Sequence, residues 1–332
     1  MAKLSQIRSA NASLKSARSG LTAVVVGGTN GIGQGFLKAL ASQTDSPKIY
    51  IVGRGAERLS AIVSELQSLN RTGTYIPVPA ADLTLLSDVE KATAQILEKE
   101  SKVDLLFMSQ GFLTFAARNE SVEGLDKATS IRHYARTLFV LNLIPLLNAA
   151  PSPRVISVLA GGQEGAIIPD DLEFKDPKNY TLGKVNNATS SYVTLTLEQL
   201  QKRNPKISFM HAFPGLVKTN LFNTEHFGVA ISFLVNWIVI PLVGRLFFTS
   251  QEDAGEKFLF VASSPSFGAQ GDSKDLAVGS NGQKGSGAYT LDEAPEAVHN
   301  DTVLAPLRKD GWDIKIYEHT INKLESVLGR KF

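Results

Sequence analysis

Short apolar runs alternate with amphipathic segments along most of this chain of 332 residues. The runs are rich in β-branched residues and end in glycine or polar residues, which is typical of strands buried on both faces. The segments between them are long enough for a helix, and a helical connection makes consecutive strands parallel. The alternation therefore predicts an α/β fold, a Rossmann-like doubly wound parallel sheet in a single domain.

The predicted elements begin at residue 21. Strands are predicted at Leu21–Val26, Lys48–Val52, Tyr75–Val78, Asp104–Met108, Arg154–Leu159 and Ile207–Ala212. Helices are predicted at Phe36–Ser42, Glu57–Asn70, Leu86–Glu100, 123–149 and 184–203. We therefore assign residues 21–332 to one domain. The residues of this domain that do not belong to the sheet or its connecting helices are expected to form an apolar lid at 225–250, a Gly/Ser-rich loop at 263–287 and a C-terminal extension.

Residues 1–20 are a polar leader rich in Ser, Ala, Lys and Arg. We expect a solvated arm or a short surface helix there. The leader has no apolar run and so lacks the pattern of a secretory signal. The loop at 263–287 is expected to lie on the surface or to be a disordered insert.

The segment 227–248 is almost entirely apolar, and its length approaches that of a membrane span. Asn236 and Pro241 interrupt it, and Arg245 lies near its end. We favour a helical lid that is buried or faces a substrate. A helix on a membrane surface, and hence a peripheral membrane contact, is the second interpretation. A true span is the least favoured, because the sheet needs residues on both sides of the segment.

Composition excludes several classes of function. Lys and Arg number 34 and Asp and Glu number 32, so the chain has no basic excess for binding nucleic acid. The absence of cysteine excludes disulfides, thiolate metal sites and cysteine nucleophiles. It agrees with a reducing compartment, and we expect a cytoplasmic protein. The five histidines lack the close spacing of metal ligands, so no metal site is predicted.

A glycine-rich turn, Gly27–Gly33, lies between the first predicted strand and the helix after it. Glycines permit a tight turn and close approach of the backbone to a pyrophosphate. The N-terminus of the following helix supplies N–H donors and a partial positive charge. Because the strand and the helix are both in place, the pattern indicates a dinucleotide-binding site.

The end of the second predicted strand bears on the choice of cofactor. Sites that select NAD usually place a carboxylate there to bind the ribose 2′-hydroxyl. This chain has Gly53-Arg54 instead. An arginine can pair with a 2′-phosphate, so Arg54 favours NADP(H) as the cofactor. The alternative, which we favour less, is that Arg54 is only a solvated charge in a loop.

Several further motifs follow the predicted strands. They are Asp82-Leu83, Met108-Ser109-Gln110-Gly111, the segment Pro214–Asn220 and Ser250–Gly255. Together with Gly27–Gly33 they resemble the motifs of the short-chain dehydrogenase/reductase family over about residues 21–265, and Gly285–Leu291 more loosely resembles its last strand. The resemblance implies a cofactor site formed by Gly27, Thr29, Asn30, Gly31, Ile32, Gly33, Arg54, Asp82, Leu83, Ser109, Gln110, Gly111, Pro214, Gly215, Val217 and Thr219.

The same resemblance implies a catalytic tyrosine, a lysine one helical turn after it and a serine. Tyr180 and Lys184 have the family's spacing, and they would share a face if the segment were helical. Counting back from Pro214, however, the family pattern puts the tyrosine near Lys184 or Val185. Tyr180 and Lys184 are therefore either the catalytic pair after a one-turn insertion or a surface coincidence.

The serine and the asparagine of the family pattern match less well. Leu159 or Ala160 stands where the family usually has the serine, and Ser157, our candidate, comes earlier within the strand. Arg132 stands where asparagine is frequent. Arg132 and Arg136 share a helix face and could bind an anion, but we favour packing and surface charge. His133 and Tyr134 are possible substitute acids or bases.

The resemblance implies an NADP(H)-dependent carbonyl reductase or alcohol dehydrogenase. The apolar lid suggests a hydrophobic small molecule as substrate, such as an intermediate of fungal secondary metabolism. Two alternatives stay open because of the altered catalytic positions. The first is a non-redox isomerase, dehydratase or cyclase, and the second is a catalytically silent nucleotide-binding protein. A homo-oligomer also stays open.

Overall fold

The central element of the fold is an eight-stranded sheet with the strand order β3-β2-β1-β4-β5-β6-β7-β8. The computed structural model describes residues 3–17, 19–113, 116–219, 248–269 and 275–332. The strands are β1 Thr22–Val26, β2 Lys48–Gly53, β3 Thr74–Pro79, β4 Leu105–Met108, β5 Arg154–Val158, β6 Ser208–Ala212, β7 Ala288–Leu291 and β8 Ala297–Val298. All neighbouring pairs are parallel except β7 and β8. This confirms the predicted Rossmann-like doubly wound sheet.

Helices cover both faces of this sheet. They are α1 Leu4–Ala12, α2 Leu14–Ala17, α3 Gly31–Gln43, α4 Ala56–Leu69, α5 Leu86–Leu97, α6 Lys127–Thr129, α7 Ala135–Ala149, α8 Leu182–Arg203, α9 Gln251–Ser263, α10 Asp301–Lys309 and α11 Trp312–Leu328. A π-turn at Ser130–Tyr134 connects α6 to α7. The chain after β4 therefore runs through α6, the π-turn and α7 as one helical segment.

The prediction of one helix over 123–149 is wrong at its N-terminal end, and the π-helical turn at Ser130–Tyr134 interrupts the helix. The chain first makes a turn, in which the Ser121 amide donates to the Leu125 carbonyl. Asp126 then caps α6 by accepting a hydrogen bond from the Thr129 amide at 2.9 Å. An N-cap carboxylate satisfies a backbone donor that has no partner inside the helix. The helix therefore begins at Lys127.

Residues of β1 point alternately into two apolar layers. Val24 and Val26 pack with the layer under α5, α7 and α8. Ala23 and Val25 pack with the layer under α3, α4 and α9. Because both faces are covered, the strand is a continuous apolar run rather than an alternating one.

The strand order reverses beside β1, which pairs with β2 on one side and with β4 on the other. The connections on the two sides lead to helices on opposite faces, so a crevice opens at the carboxyl ends of β1 and β4. Ligands of open α/β sheets bind at such a point.

Both ends of the chain pack against the sheet domain. In the predicted polar leader, α1 is docked through the buried side chain of Ile7 and through Asn11, whose Nδ2 donates to the Glu256 carboxylate on α9. At the other end, α11 packs on α8. The leader and the C-terminal extension therefore both form helices that contact the domain.

Two predicted segments fall partly or wholly outside the described residues. Most of the lid at 225–250 lies there, including the whole of 227–247, and so do residues 270–274 of the Gly/Ser-rich loop. The described part of that loop includes the turn Pro265–Phe267 and a bridge between Val278 and Lys284. Among the described helices, none is both long and apolar enough to cross a membrane.

A buried ion pair ties the C-terminal extension to α8. The Glu198 carboxylate accepts hydrogen bonds from Arg308 Nε at 2.9 Å and Nη2 at 2.7 Å, and from the Ser280 hydroxyl at 2.6 Å. Both charged side chains are largely buried. Removal of one partner would leave the other charge buried and unpaired.

We expect Glu198→Ala to lower the free energy of unfolding by about 3 kcal/mol, because it leaves the largely buried Arg308 guanidinium with only the half-exposed Asp301 at 3.8 Å as a partner. Denaturant unfolding measures this loss. The matched control is Lys331→Met, which removes the exposed ion pair with Glu325 and should cost less than about 1 kcal/mol. Equal losses in the two variants would contradict the account.

Candidate active site

A cleft of about 670 Å³ opens at the carboxyl ends of β1, β2, β3 and β4. Its walls come from the loops that follow these strands, from the start of the α6–α7 segment and from the end of the β5–α8 connection. Most of the predicted cofactor residues line it, namely Gly27, Thr29, Asn30, Gly31, Ile32, Arg54, Asp82, Leu83, Ser109, Gln110, Gly111 and Thr219. The structure therefore brings motifs from distant parts of the sequence to one site.

The glycine turn packs tightly against the end of β4. Gly27 has a φ of 84°, and a Cβ atom there would lie 2.8 Å from the Gln110 amide nitrogen. A Cβ on Gly33 would lie 2.3 Å from the Gly27 carbonyl oxygen and 2.6 Å from Ser109 Oγ. Neither position has room for a side chain. This packing directs the N-terminus of α3, with its unsatisfied N–H groups, into the cleft.

Two arginines line the end of the cleft beside β2. Arg54 follows the strand directly, and Arg58 comes one turn later in α4. The sequence analysis missed Arg58, which lies in the first turn of α4, directly after the loop that carries Arg54. Two cations on one wall make this end of the cleft suited to an anionic group.

Asp82, at the end of β3, is held by a local turn. Its Oδ1 accepts hydrogen bonds from the Thr84 amide at 2.9 Å and from the Thr84 hydroxyl at 2.7 Å. The Asp82 amide donates to Asp88 at 3.0 Å. These bonds fix the Asp82-Leu83 backbone along the cleft wall.

Gln110 has a side chain that is unusual for a buried residue. Its amide oxygen and amide nitrogen are both buried and have no hydrogen-bond partner among the described residues. An unpaired buried amide is costly, and such groups often have an unseen partner. Gln110 lines the cleft, so a bound nucleotide is a chemically suitable partner for this amide. The glycine turn, the two arginines and this free amide fit a dinucleotide.

The remaining predicted cofactor residues lie beside or below the cleft. Gly33 lies beneath the turn. Pro214 contacts a small cavity near Phe258 and Leu291. Gly215 lies close to Glu293, and Val217 is buried and bridges to Thr249. Residues 220–247, which follow Thr219, lie outside the described residues.

Tyr180 lines the cleft, and its hydroxyl donates a hydrogen bond to Asp126 Oδ1 at 2.9 Å. Burial is the largest cause that raises the pKa of the Tyr180 phenol, and the neighbouring Asp126 carboxylate raises it further. The phenol is therefore protonated at neutral pH. Asp126 was not identified from the sequence, and its capping position before Thr129 was the available signal.

Lys184 and Ser157 form their hydrogen bonds with groups other than Tyr180. Thr181 caps α8, so Tyr180 precedes the helix and does not share a helix face with Lys184. The Lys184 side chain is exposed, and its Nζ donates to the Lys178 carbonyl at 2.9 Å. Ser157 is buried within β5, where its Oγ accepts a hydrogen bond from Arg136 at 2.8 Å. Because Tyr180 lies before α8, the condition under which Tyr180 and Lys184 would share a helix face is not met.

The expectation of surface charge at Arg132 and Arg136 is also wrong, because both side chains are buried. Arg136 donates to the carbonyls of Met108 and Gln110 at the end of β4 and to Ser157 in β5. Arg132 donates to the Phe112 carbonyl and to Asn186 on α8. The two arginines satisfy polar groups of the loops below the cleft.

His211 is buried, as the sequence predicted, and burial lowers its pKa to about 3. It is therefore neutral near pH 7. Its Nε2 accepts a hydrogen bond from the Ala160 amide at 3.1 Å, so its Nδ1 carries the proton and donates to the Thr194 hydroxyl at 2.8 Å. His211 thus fixes the loop after β5. Within the described residues, no group of His, Asp and Glu side chains could hold a metal ion.

Comparisons with known proteins agree with this geometry. A family model described as short chain dehydrogenase matches residues 21–169. The chain is 32% identical to the short-chain dehydrogenase/reductase SAT2 of Stachybotrys chartarum, over 98% of each chain. This chain belongs to the short-chain dehydrogenase/reductase family. It is also 38% identical, over 96% of its length and 94% of the relative, to the NmrA-like family domain-containing oxidoreductase notO of Aspergillus sp. (strain MF297-2).

A solved short-chain fold superposes on most of this chain. The NADPH-bound carbonyl reductase from chicken fatty liver has a TM-score of 0.55 and 17% identity, and the match covers 85% of this chain and all of the other. At that identity the likeness shows the short-chain dehydrogenase fold alone.

We expect Gly33→Ala to weaken NADPH binding at least about fivefold, because overpacking a tight contact costs about 1–3 kcal/mol and would displace the glycine turn. Isothermal titration with NADPH measures the effect. Gly183→Ala is the matched control, since a Cβ there meets nothing within 4 Å. Unchanged affinity in Gly33→Ala would contradict the assignment of the turn.

Proposed function

We propose that this protein is an NADP(H)-dependent oxidoreductase of the carbonyl reductase or alcohol dehydrogenase type that acts on a hydrophobic small molecule. The observation that carries the proposal is the composition of one cleft. A glycine turn at a helix N-terminus, two arginines and a protonated tyrosine all line it. Together these groups can bind a phosphorylated dinucleotide and donate a proton.

Each wall of the cleft would bind a different part of the dinucleotide. The glycine turn and the N-terminus of α3 would bind the pyrophosphate, as helix N-termini do. Arg54 and Arg58 would pair with a 2′-phosphate, because a guanidinium binds phosphate through two parallel hydrogen bonds. Asp82, Leu83 and the strip Ser109–Gly111 would line the nucleoside.

The preference for NADP(H) rests on the end of β2. The strand ends in Gly53 and is followed by Arg54, so no carboxylate stands where an NAD site usually has one. The NADPH in the carbonyl reductase named above is consistent with this assignment, at the level of the fold.

We assign the role of proton donor in the reduction to Tyr180. When bound, the reduced nicotinamide supplies a hydride to the carbonyl carbon. Tyr180 would donate its phenol proton to the carbonyl oxygen as the negative charge develops there. Since burial and Asp126 keep the phenol protonated, Tyr180 is in the form that can donate a proton during reduction. Lys184 and Ser157 stay sequence predictions, and their hydrogen bonds are to Lys178 and Arg136 rather than to Tyr180.

The substrate class follows from the apolar part of the cleft. Phe112, Ala117, Ala128 and Ile131 line it alongside the polar groups. These side chains favour a substrate with an apolar body. The fungal relatives that match nearly the whole chain include oxidoreductases, which agrees with this type of activity.

A non-redox enzyme is the second candidate, and the catalytic positions favour it. Ala160 occupies one of the two positions for the family's serine, Ser157 is buried, and Lys184 faces solvent. An isomerase, dehydratase or cyclase would bind NADP(H) or its substrate in the same cleft without consuming the cofactor. Turnover measured as loss of NADPH absorbance separates the two candidates.

We expect NADPH to bind more tightly than NADH and Arg54→Ala to narrow the difference by about tenfold, since a lost charge-assisted hydrogen bond costs about 1.5–3 kcal/mol. Binding titrations with both cofactors measure this. Arg71→Ala, which alters an exposed arginine at the far end of α4, should leave the ratio unchanged. Equal affinities for the two cofactors in the unaltered protein would defeat the Arg54 assignment.

Tyr180→Phe should impair reduction and spare NADPH binding, because it removes the donated proton and the hydrogen bond to Asp126 but keeps the ring. The expected loss of kcat is about 100-fold or more, the usual contribution of a general acid. Steady-state kinetics with a panel of hydrophobic ketones and aldehydes, together with NADPH titration, test this. Unchanged turnover in Tyr180→Phe would remove this residue from the mechanism.

A further inference from the structure

Arg136 is a buried cation in the first turn of α7, beside the loop that follows β4. Its Nη1 donates to the Met108 carbonyl at 3.1 Å and to the Ser157 hydroxyl at 2.8 Å. Its Nη2 donates to the Gln110 carbonyl. A buried charge is costly unless its polar atoms are hydrogen-bonded, so these acceptors hold the guanidinium in place.

The acceptors of Arg136 belong to two neighbouring strands and to the loop after one of them. Met108 and Ser157 are register partners in the parallel pair of β4 and β5. Because one nitrogen of Arg136 binds both of them, the side chain joins the ends of the two strands. Nε adds a longer hydrogen bond to the Ile131 carbonyl, at 3.4 Å, within the π-turn. Such turns are rare and often occur at functional sites.

The peptide group between Met108 and Ser109 is held on both sides. Its N–H, from Ser109, donates to the Val26 carbonyl of β1 at 2.9 Å. Its carbonyl, from Met108, accepts the hydrogen bond from Arg136. Turning this peptide group would leave buried backbone atoms without partners, which is costly. The strip Ser109–Gly111 therefore leaves β4 in one direction.

The backbone of Gln110 is also held at both of its polar groups. Its amide nitrogen packs against the glycine turn, where a Cβ on Gly27 would lie 2.8 Å from it. Its carbonyl accepts the hydrogen bond from Arg136. The side chain of Gln110 lines the cleft, and its amide has no hydrogen-bond partner among the described residues. Arg136 thus helps to fix the backbone that carries this free amide.

We propose that Arg136 is a positioning residue for the cofactor, which holds the strip Ser109–Gly111 where the strip can contact the nucleoside of NADP(H). The inference rests on the proposed function, in which this strip lines the nucleoside. Arg136 acts through the backbone carbonyls of the strip and not by contact with the cofactor. Apart from the 2′-phosphate, NADPH and NADH have the same nucleoside, so Arg136 should support the binding of both. Arg54, by contrast, acts on the 2′-phosphate alone.

Arginine suits this task because its planar guanidinium presents several N–H donors in fixed directions. Two different nitrogens reach the carbonyls of Met108 and Gln110. Glutamine is shorter and has its two N–H donors on one nitrogen, and lysine keeps the charge but also has its donors on one nitrogen. A buried carbonyl that loses its partner is costly, so we expect the strip to shift in both variants, and more in the glutamine variant.

The test measures the binding of NADPH and of NADH to the full-length protein by isothermal titration. Arg136→Gln should weaken the binding of both cofactors at least about tenfold, because two carbonyls of the strip lose a charged donor. The ratio of the two affinities should stay within about twofold of its value in the unaltered protein. Arg136→Lys should bind NADPH more tightly than Arg136→Gln, but about threefold or more weaker than the unaltered protein.

Arg154→Gln is the matched control. Arg154 is also a buried arginine bonded to a backbone carbonyl, that of Val261 at 3.0 Å, but it begins β5 and so lies at the amino end of the strand, away from the cleft. Arg154→Gln should destabilise the protein and change either affinity by less than about twofold.

Three results would overturn the proposal. They are an unchanged NADPH affinity in Arg136→Gln, a loss in that variant that is confined to NADPH, and an equal loss in Arg154→Gln. If circular dichroism shows that Arg136→Gln does not fold, an unchanged NADPH affinity in Arg136→Lys overturns it instead.

Hydrogen exchange of the cofactor-free protein tests the positioning itself. The amides of a peptide covering residues 105–111 should exchange at least about threefold faster in Arg136→Gln than in Arg154→Gln, because the strip opens more easily without its donor. Equal exchange in the two variants would overturn the proposal. The measurement needs neither cofactor nor turnover.

The failure of the Arg136 role and the failure of the proposed function give different results. An unaltered protein that binds neither cofactor would refute the proposed function and with it the cofactor role of Arg136. An unaltered protein that binds NADPH, together with an Arg136→Gln variant of unchanged affinity, would refute the Arg136 role alone.

Discussion

The close packing of the glycine turn against the end of β4 is the constraint on which the site depends. Gly33 lies over the Gly27 carbonyl and Ser109, and Gly27 lies against the Gln110 amide. Since no side chain fits between these backbones, α3 starts directly at the cleft. The same contact fixes the distance between β1 and the strip Ser109–Gly111, so both walls of the cleft are set by one interaction.

Electrostatics then divide the cleft into two ends. Arg54 and Arg58 make the end of the cleft beside β2 positively charged, and both side chains are exposed to solvent. At the other end, Arg132 and Arg136 lie below the surface, and Asp126 contacts Tyr180 directly. Buried charges interact more strongly than exposed ones, because the surrounding dielectric constant is lower. Burial is the largest cause that raises the pKa of Tyr180, the Asp126 carboxylate raises it further, and Arg132 and Arg118 lower it.

The sequence was sufficient for most of the sheet and for most of the residues that line the cleft. Buried parallel strands are continuous apolar runs, so their positions are visible in a single sequence. The glycine turn is equally visible, because a strand and a helix must flank it. Arg54 could be found because its place is defined by the end of β2.

The arrangement around Tyr180 could not be predicted from the sequence in the same way. Whether Tyr180 and Lys184 share a helix face depends on where α8 begins, and the Thr181 cap starts the helix just after Tyr180. The partner of Tyr180, Asp126, is 54 residues away in the sequence. The burial of Arg132 depends on contacts with Phe112 and Asn186 from two other segments. Spacing within one segment carries none of this information.

A crystal structure of the complex with NADPH and a bound ketone inhibitor tests the central claim most directly. We expect the 2′-phosphate between Arg54 and Arg58, and the Tyr180 hydroxyl within hydrogen-bond distance of the ketone oxygen beside nicotinamide C4. A complex in which another side chain contacts that oxygen, while Tyr180 stays bonded to Asp126 and turned away from it, would contradict the account.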